Sequence, residues 1–296
     1  MNGVDGLNGD AGNSKPETNT QILQALEIVH NPRSDNALRQ GASQYLEQIR
    51  SDEEAPYHGF GLAAEKGQPP VVRFYGLSLL EYGVRQKWSN YTPEQSKALR
   101  DWVITLALNL STEDPPYIAN KIAEIWAEIA KRSWGMDWMD MDEVLIRTWN
   151  GGIVQRLLVL TILETLSEDV FGNDDTTVAL RGNDLNRACV DIFTPADVLT
   201  EQFPTRETMI DVRHGADGWL TRMAALLEWC ISGNDIDEKQ QLCAVKTLYT
   251  FKSVIIWVIP KALVSTQSVN RICACLAVSN IPIQLVRIPV ELKTCQ

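Results

Sequence analysis

Apolar residues recur three and four positions apart in one segment after another of this chain, a spacing that lines them along one face of an α-helix and that a strand cannot use. In VVRFYGLSLLEYGVRQKW (71–88), Phe74, Leu77, Leu80, Val84 and Trp88 share a face, with Pro69 and Pro70 marking the start. Thr92-Pro93-Glu94-Gln95 then opens a second helix. Thr92 can cap it, Pro93 suits the first helical position, and Gln95 can reach back to complete a capping box. That helix carries Leu99, Trp102, Val103, Leu106 and Leu110 to its buried side and ends at STEDPP (111–116), because two prolines cannot continue it.

The same reasoning predicts helices through Ile118, Ile122, Ile125 and Ile129, over 141–149, and over 153–171. The last is apolar almost all round and should be sandwiched between neighbours. Further helices are expected at about 184–193, 216–232, 238–257 and 267–278, with an N-terminal pair at about 21–30 and 34–50. Two stretches, 171–184 and 194–215, read as surface loops. Strand-like alternation is nearly absent, so the fold class is all-α.

Helix starts group into pairs, at about 71 and 93, 117 and 141, 153 and 184, 216 and 238. The first two pairs begin 46 residues apart, within the ~40–47 of a HEAT unit. A HEAT-repeat α-solenoid, an armadillo-like superhelix of antiparallel pairs in series, is therefore favoured over a closed bundle.

With 45% apolar residues in 296, the chain has ample material for a core, except over 1–20, where Gly, Asn and acidic residues predict disorder. That opening has no basic-then-apolar leader, and the longest apolar run, at 253–264, is too short and too interrupted by Pro260 and Lys261 to cross a bilayer. An intracellular protein without membrane insertion is expected. The cysteines, Cys189, Cys230, Cys243, Cys273, Cys275 and Cys295, then read as reduced core residues. Cys273-x-Cys275 lacks the second pair or nearby histidine that zinc would need. A net charge of −11 disfavours nucleic acid and favours basic partners.

No constellation for catalysis emerges. Gly59-x-Gly61-x-x-Ala64 has the form of a dinucleotide loop, but no apolar strand precedes it, so it is expected to be a loop leading into a short helix. His30, His58 and His214 lie in separate segments, and none accompanies a nucleophile; His214 reads as a solvated loop residue. The acids Asp137, Asp140, Asp142 and Glu143 sit where a helix start favours negative charge. Among nine tryptophans, Trp88, Trp102, Trp126, Trp134, Trp138 and Trp149 cluster in neighbouring helices and are expected to wedge between them. No catalytic, cofactor or metal residues are assigned.

Two blocks carry a resemblance. LAAEKGQPPVVRFYGLSLLEYGVRQKW (62–88) is similar to the second-repeat signature of importin-β-type receptors. IANKIAEIWAEIAKRSWGMDWMDMDEVL (118–145) is similar to their third repeat, in which Lys-Arg-x-Trp, a second Trp and an acidic-methionine turn link two helices. Followed by LSEDVF (166–171), their order and spacing resemble the exportin-5 family of nuclear export receptors, more weakly through 218–230 and 255–285.

The resemblance implies importin-β N-terminal-like repeats over 21–112 and exportin-1/importin-β-like HEAT repeats over 113–296. It also implies a chain truncated at its C-terminus, since such receptors are several times longer and IQLVRIPVELKTCQ ends without a polar capping helix. It implies a monomer that shuttles between nucleus and cytoplasm, contacts nucleoporins, and binds the GTP form of the small GTPase Ran together with cargo, either protein or tRNA and other structured small RNA. Carried onto this chain, the Ran-binding residues are Lys97, Arg100 and Asp101 on one helix and Asp142, Glu143 and Arg147 on another, while Arg73, Trp88, Trp134 and Trp138 form the scaffold. A general HEAT scaffold for protein–protein contact, without Ran dependence, is the alternative.

Overall fold

A computed structural model describes residues 11–172, 176–205, 212–232 and 236–275. The helices are α1 (Ala11–His30), α2 (Asn36–Ser51), α3 (Ala55–Ala64), α4 (Pro70–Lys87), α5 (Pro93–Leu108), α6 (Pro116–Ser133), α7 (Met141–Trp149), α8 (Ile153–Gly172), α9 (Thr176–Phe193), α10 (Ala196–Gln202), α11 (Gly218–Ile231), α12 (Glu238–Val254), α13 (Pro260–Ser265) and α14 (Ser268–Ala274). Among the described residues there is no strand, only an isolated bridge between Trp134 and Trp138. The class is all-α, in keeping with a HEAT-repeat solenoid.

The expected boundaries hold for α4 to α8, and the reason is visible at α5. The Thr92 amide donates to Gln95 Oε1 (2.9 Å) and the Gln95 amide to Thr92 Oγ1 (3.3 Å), the reciprocal box that satisfies two otherwise orphaned N–H groups. Elsewhere the structure adds helix. α1 begins at Ala11, so residues 11–20, expected without structure, are helical; residues 1–10 lie outside the described residues. Both expected loops are partly helical too, since α9 starts at Thr176 and α10 occupies part of 194–215. The C-terminal stretch from 276, including the end of the helix expected at 267–278, lies outside the described residues.

The larger difference is α3, which contains the Gly59–Gly61–Ala64 segment expected to be a loop. Its glycines have a packing role. A Cβ on Gly59 would sit 2.7 Å from the carbonyl oxygen of Gly76, and one on Gly76 would sit 2.6 Å from that of Gly59, so the backbones of α3 and α4 touch directly. Near the other end, Pro56 lies against Gly83, which makes the two helices antiparallel. Because α3 is the partner of α4, the expected pairing of the helices at 71 and 93 is displaced by one element. Likewise α8 packs on α7, though also on α9 as expected, and α11 packs on α12 as expected.

The helices group into two units, Met1–Leu106 with Asp114–Ile125, and Ala107–Glu113 with Trp126–Gln296. In the first, Ile22, Ala25 and Leu26 of α1 and Ala42 and Leu46 of α2 share a core with Leu62 and Val72. His58 is buried there with its Nδ1 2.8 Å from Asn19 Oδ1, which makes it a satisfied core histidine. The second unit is organised around α8, whose Leu158 to Leu163 and Leu166 are buried save Thr161, as its all-round apolar character requires. α12 runs beside α8 in the same direction: Thr250 Oγ1 donates to Leu160 O (3.3 Å), and Ser167 Oγ to Ser253 O (2.8 Å). Parallel stacking of the second helices of two antiparallel pairs is the arrangement a solenoid repeats.

Candidate interaction faces and the scaffold beneath them

In the first unit, α5 turns Lys97 and Asp101 to solvent, joined by an ion pair one helical turn apart. Arg100 lies largely inside, with its Nε 3.8 Å from Asp101. In the second unit, α7 exposes Glu143 and Arg147, and the exposed imidazole of His214 lies 3.8 Å from Glu143.

Asp142 is placed differently from the sequence expectation. At 3% exposure it faces inward, where Oδ2 accepts from the His214 amide (2.6 Å) and Oδ1 from the indole Nε1–H of Trp219 (2.7 Å). Burial pushes its carboxyl above the usual aspartate value, and these two donors, with Arg222 and Arg213, pull back against that. Asp142 therefore positions the 212–219 segment against α7. Its acidity is not explained by the helix start alone, and it is not offered to a partner.

The four residues assigned to the scaffold are inside or half inside. Arg73, on α4, donates from Nε to Ala63 O (3.1 Å) and forms a buried ion pair with Asp114, which also takes Lys66; the Arg73 and Asp114 side chains are 7% and 3% exposed. Trp88 is half-buried in a 3-10 turn, Trp88–Asn90, that closes α4. Trp134 and Trp138 are both buried and flank the turn after α6, where Gly135 takes φ +75°, a conformation that disfavours a side chain. There the Trp138 amide donates to Ser133 O (3.0 Å), and its ring packs 5.4 Å from that of Trp126.

The charged groups that hold this turn were not singled out from the sequence. Lys131 is 1% exposed, yet its ammonium donates to Glu128 (2.8 Å) and Asp169 (2.7 Å). Burial would raise Glu128, but Lys131 and Arg132 outweigh it and hold the carboxyl below the usual glutamate range. Arg181 of α9 donates to the carbonyls of Lys131 (2.8 Å) and Trp134, two acceptors that the end of α6 leaves without helical partners. In the first unit Lys121 of α6 does similar work: burial would lower its ammonium, and Glu81 (2.6 Å) and Glu124 (3.0 Å) hold it above the usual lysine value. Only the Lys-Arg-x-Trp order hinted at any of this, because a lysine and arginine ending a helix ordinarily face water.

Among the described residues no group of three or more His, Cys, Asp or Glu is placed to hold a metal ion. Cys189, Cys230, Cys243 and Cys275 are buried free thiols; burial pushes Cys275 up to about 11, which disfavours a reactive thiolate, and Cys295 lies outside the described residues.

Residues 115–192, which span this tryptophan turn and its charged support, match the Exportin 1-like protein family. The chain is 29% identical over 277 residues to Protein MSN5 of Saccharomyces cerevisiae, covering 89% of this chain and 22% of that protein. The chain is similar to exportins over most of its length. It is also 25% identical over 245 residues to exportin-5 of Dictyostelium discoideum, covering 74% of this chain and 21% of that protein, and 31% identical over 156 residues to exportin-5 of Mus musculus, covering 51% and 13%. It thus spans about a fifth of the length of the first two relatives. The two blocks that carry the resemblance in sequence, 62–88 and 118–145, coincide with the α3–α4 glycine contact and the tryptophan turn of this exportin-like chain.

Proposed function

We propose that the chain is the N-terminal part of a nuclear export receptor, binding Ran-GTP and cargo and acting by binding alone, without catalysis. The observation that carries this reading is the match over 115–192, which falls on α6 to α9 and so includes the exposed charges of α7. Glu143 and Arg147 stand on a helix whose inner face is fixed by Asp142 and Trp149, and Lys97 and Asp101 stand on another helix in the other unit. Rigidly mounted, solvent-exposed charges of both signs suit recognition of a charged protein surface. Coupling of Ran to cargo then needs only a difference in binding energy, which stacked helix pairs can transmit. In this reading the protein shuttles between nucleus and cytoplasm as a monomer, contacts nucleoporins in the pore, and carries protein or structured small RNA. RNA contact would fall mainly outside this acidic stretch. No described helix is long and apolar enough to cross a membrane.

Retention of purified Ran by the immobilised chain tests the proposal. Ran loaded with GTP should be held and Ran loaded with GDP released. Equal retention of the two, or retention of neither, favours a general HEAT scaffold instead.

A further inference from the structure

A small cavity in the first unit takes no part in the contacts described so far. It encloses about 190 Å³ where the start of α3 meets α5, and is walled by Pro56, Tyr57, Tyr91 and Trp102, with Glu53 and Glu54 beside them. The rings of Tyr57 and Trp102 stand 6.2 Å apart at 71°, two adjacent walls close to a right angle. Phe60 stacks on Trp102 at 5.2 Å and 9°, which fixes the indole in place before any ligand arrives. Both glutamates remain exposed to solvent. Their full charges exceed the half-charge of opposite sign at the start of α3.

Aromatic faces and carboxylates together select a cation. The cavity has room for one side chain and not for a folded element. Apart from the two carboxylates it is poor in acceptors. Gln95 Oε1 already accepts from the Thr92 amide, and Tyr91 Oη packs against Gly83 with no hydrogen-bond partner among the described residues. An unmodified ammonium would give up strong hydration to sit between the rings, whereas a methylated ammonium carries fewer N–H groups, gives up less, and presents methyl groups to the aromatic faces. We propose that this cavity binds a methylated lysine side chain of a partner protein. The inference does not depend on Ran binding and stands or falls separately from it.

The test is calorimetric titration of the whole chain with a short glycine-flanked peptide carrying trimethyllysine, lysine, or the neutral tert-butyl isostere of trimethyllysine. Trimethyllysine should bind at least about fivefold more tightly than either of the others. Trp102→Ala should weaken it about tenfold or more, and Glu53→Gln combined with Glu54→Gln a few-fold, the latter effect fading at high salt. Trp102→Phe keeps an aromatic wall with a weaker cation affinity. It should give an intermediate loss with an unchanged melting temperature, which separates the site from a folding defect. Equal binding of the neutral isostere, equal or tighter binding of plain lysine, no binding at millimolar peptide, or wild-type affinity in both Trp102 variants would each overturn the proposal.

Discussion

Replacing Gly76 by alanine should separate the two helices whose contact displaces the pairing expected from the sequence. Judged by propensity alone the change is favourable, since alanine in a helix interior is better than glycine by roughly 0.5–1 kcal/mol. The added methyl group, however, would lie 2.6 Å from Gly59 O, 2.8 Å from Ala63 N and 3.0 Å from Leu62 Cβ. Two of these three are backbone atoms of α3 and cannot swing aside as a flexible side chain would. Overpacking costs about 1–3 kcal/mol, and rigid neighbours put this site at the upper end. The net loss is about 2 kcal/mol, which lowers the melting temperature by roughly 5–10 °C for a unit of this size. Gly41→Ala is the matched control. It is the same chemical change within a helix, but nothing lies within 4 Å of the new Cβ, so a small gain in stability is expected. Thermal unfolding followed by circular dichroism compares the two. If Gly76→Ala melts at or above the wild-type temperature, like Gly41→Ala, the close backbone contact is wrong.

Asp114→Asn should destabilise by about 3 kcal/mol in chemical denaturation, because it leaves the buried Arg73 guanidinium without its counter-charge. Asp142→Ala should cost about 2–3 kcal/mol by orphaning the His214 amide and the Trp219 indole, whereas Glu143→Ala should shift stability by no more than about 0.5 kcal/mol. Glu128 sits below its ordinary value when folded, so its contribution is present above the unfolded pKa and lost as pH falls through the folded one. Glu128→Gln should therefore destabilise by about 2 kcal/mol at pH 7 and flatten the acid side of the stability curve; an unchanged acid limb contradicts the assignment.

What was legible in the sequence was whatever local rules govern. The capping box at Thr92, the extensive burial of α8 and the inward tryptophans follow from spacing within single helices. α3 was not legible because its packing surface is made of glycines, which leave no apolar stripe and whose spacing suggests a phosphate loop instead. Missing one helix shifted the expected pairing of its neighbours. The beginning of α9 is similarly masked by a polar run. Among the candidate residues, Lys97, Asp101, Glu143 and Arg147 are at or near the surface as expected, but Arg100 lies largely inside and Asp142 is buried, its partner Trp219 lying 77 residues further along the chain. The same is true of Arg181, whose acceptors are 47 and 50 residues away. Long-range partners of single charges leave no local trace.

The measurement that bears most directly on the account is the affinity of the chain for Ran in its two nucleotide states, read by interferometry for the wild type and for Lys97→Glu and Arg147→Glu. The account predicts binding to the GTP form that is weak, since the chain spans about a fifth of the length of Protein MSN5, and at least tenfold weaker for the GDP form. Each charge reversal should reduce GTP-form binding without changing the melting temperature. Indistinguishable affinities for the two states, or charge reversals that leave the affinity untouched, would contradict it.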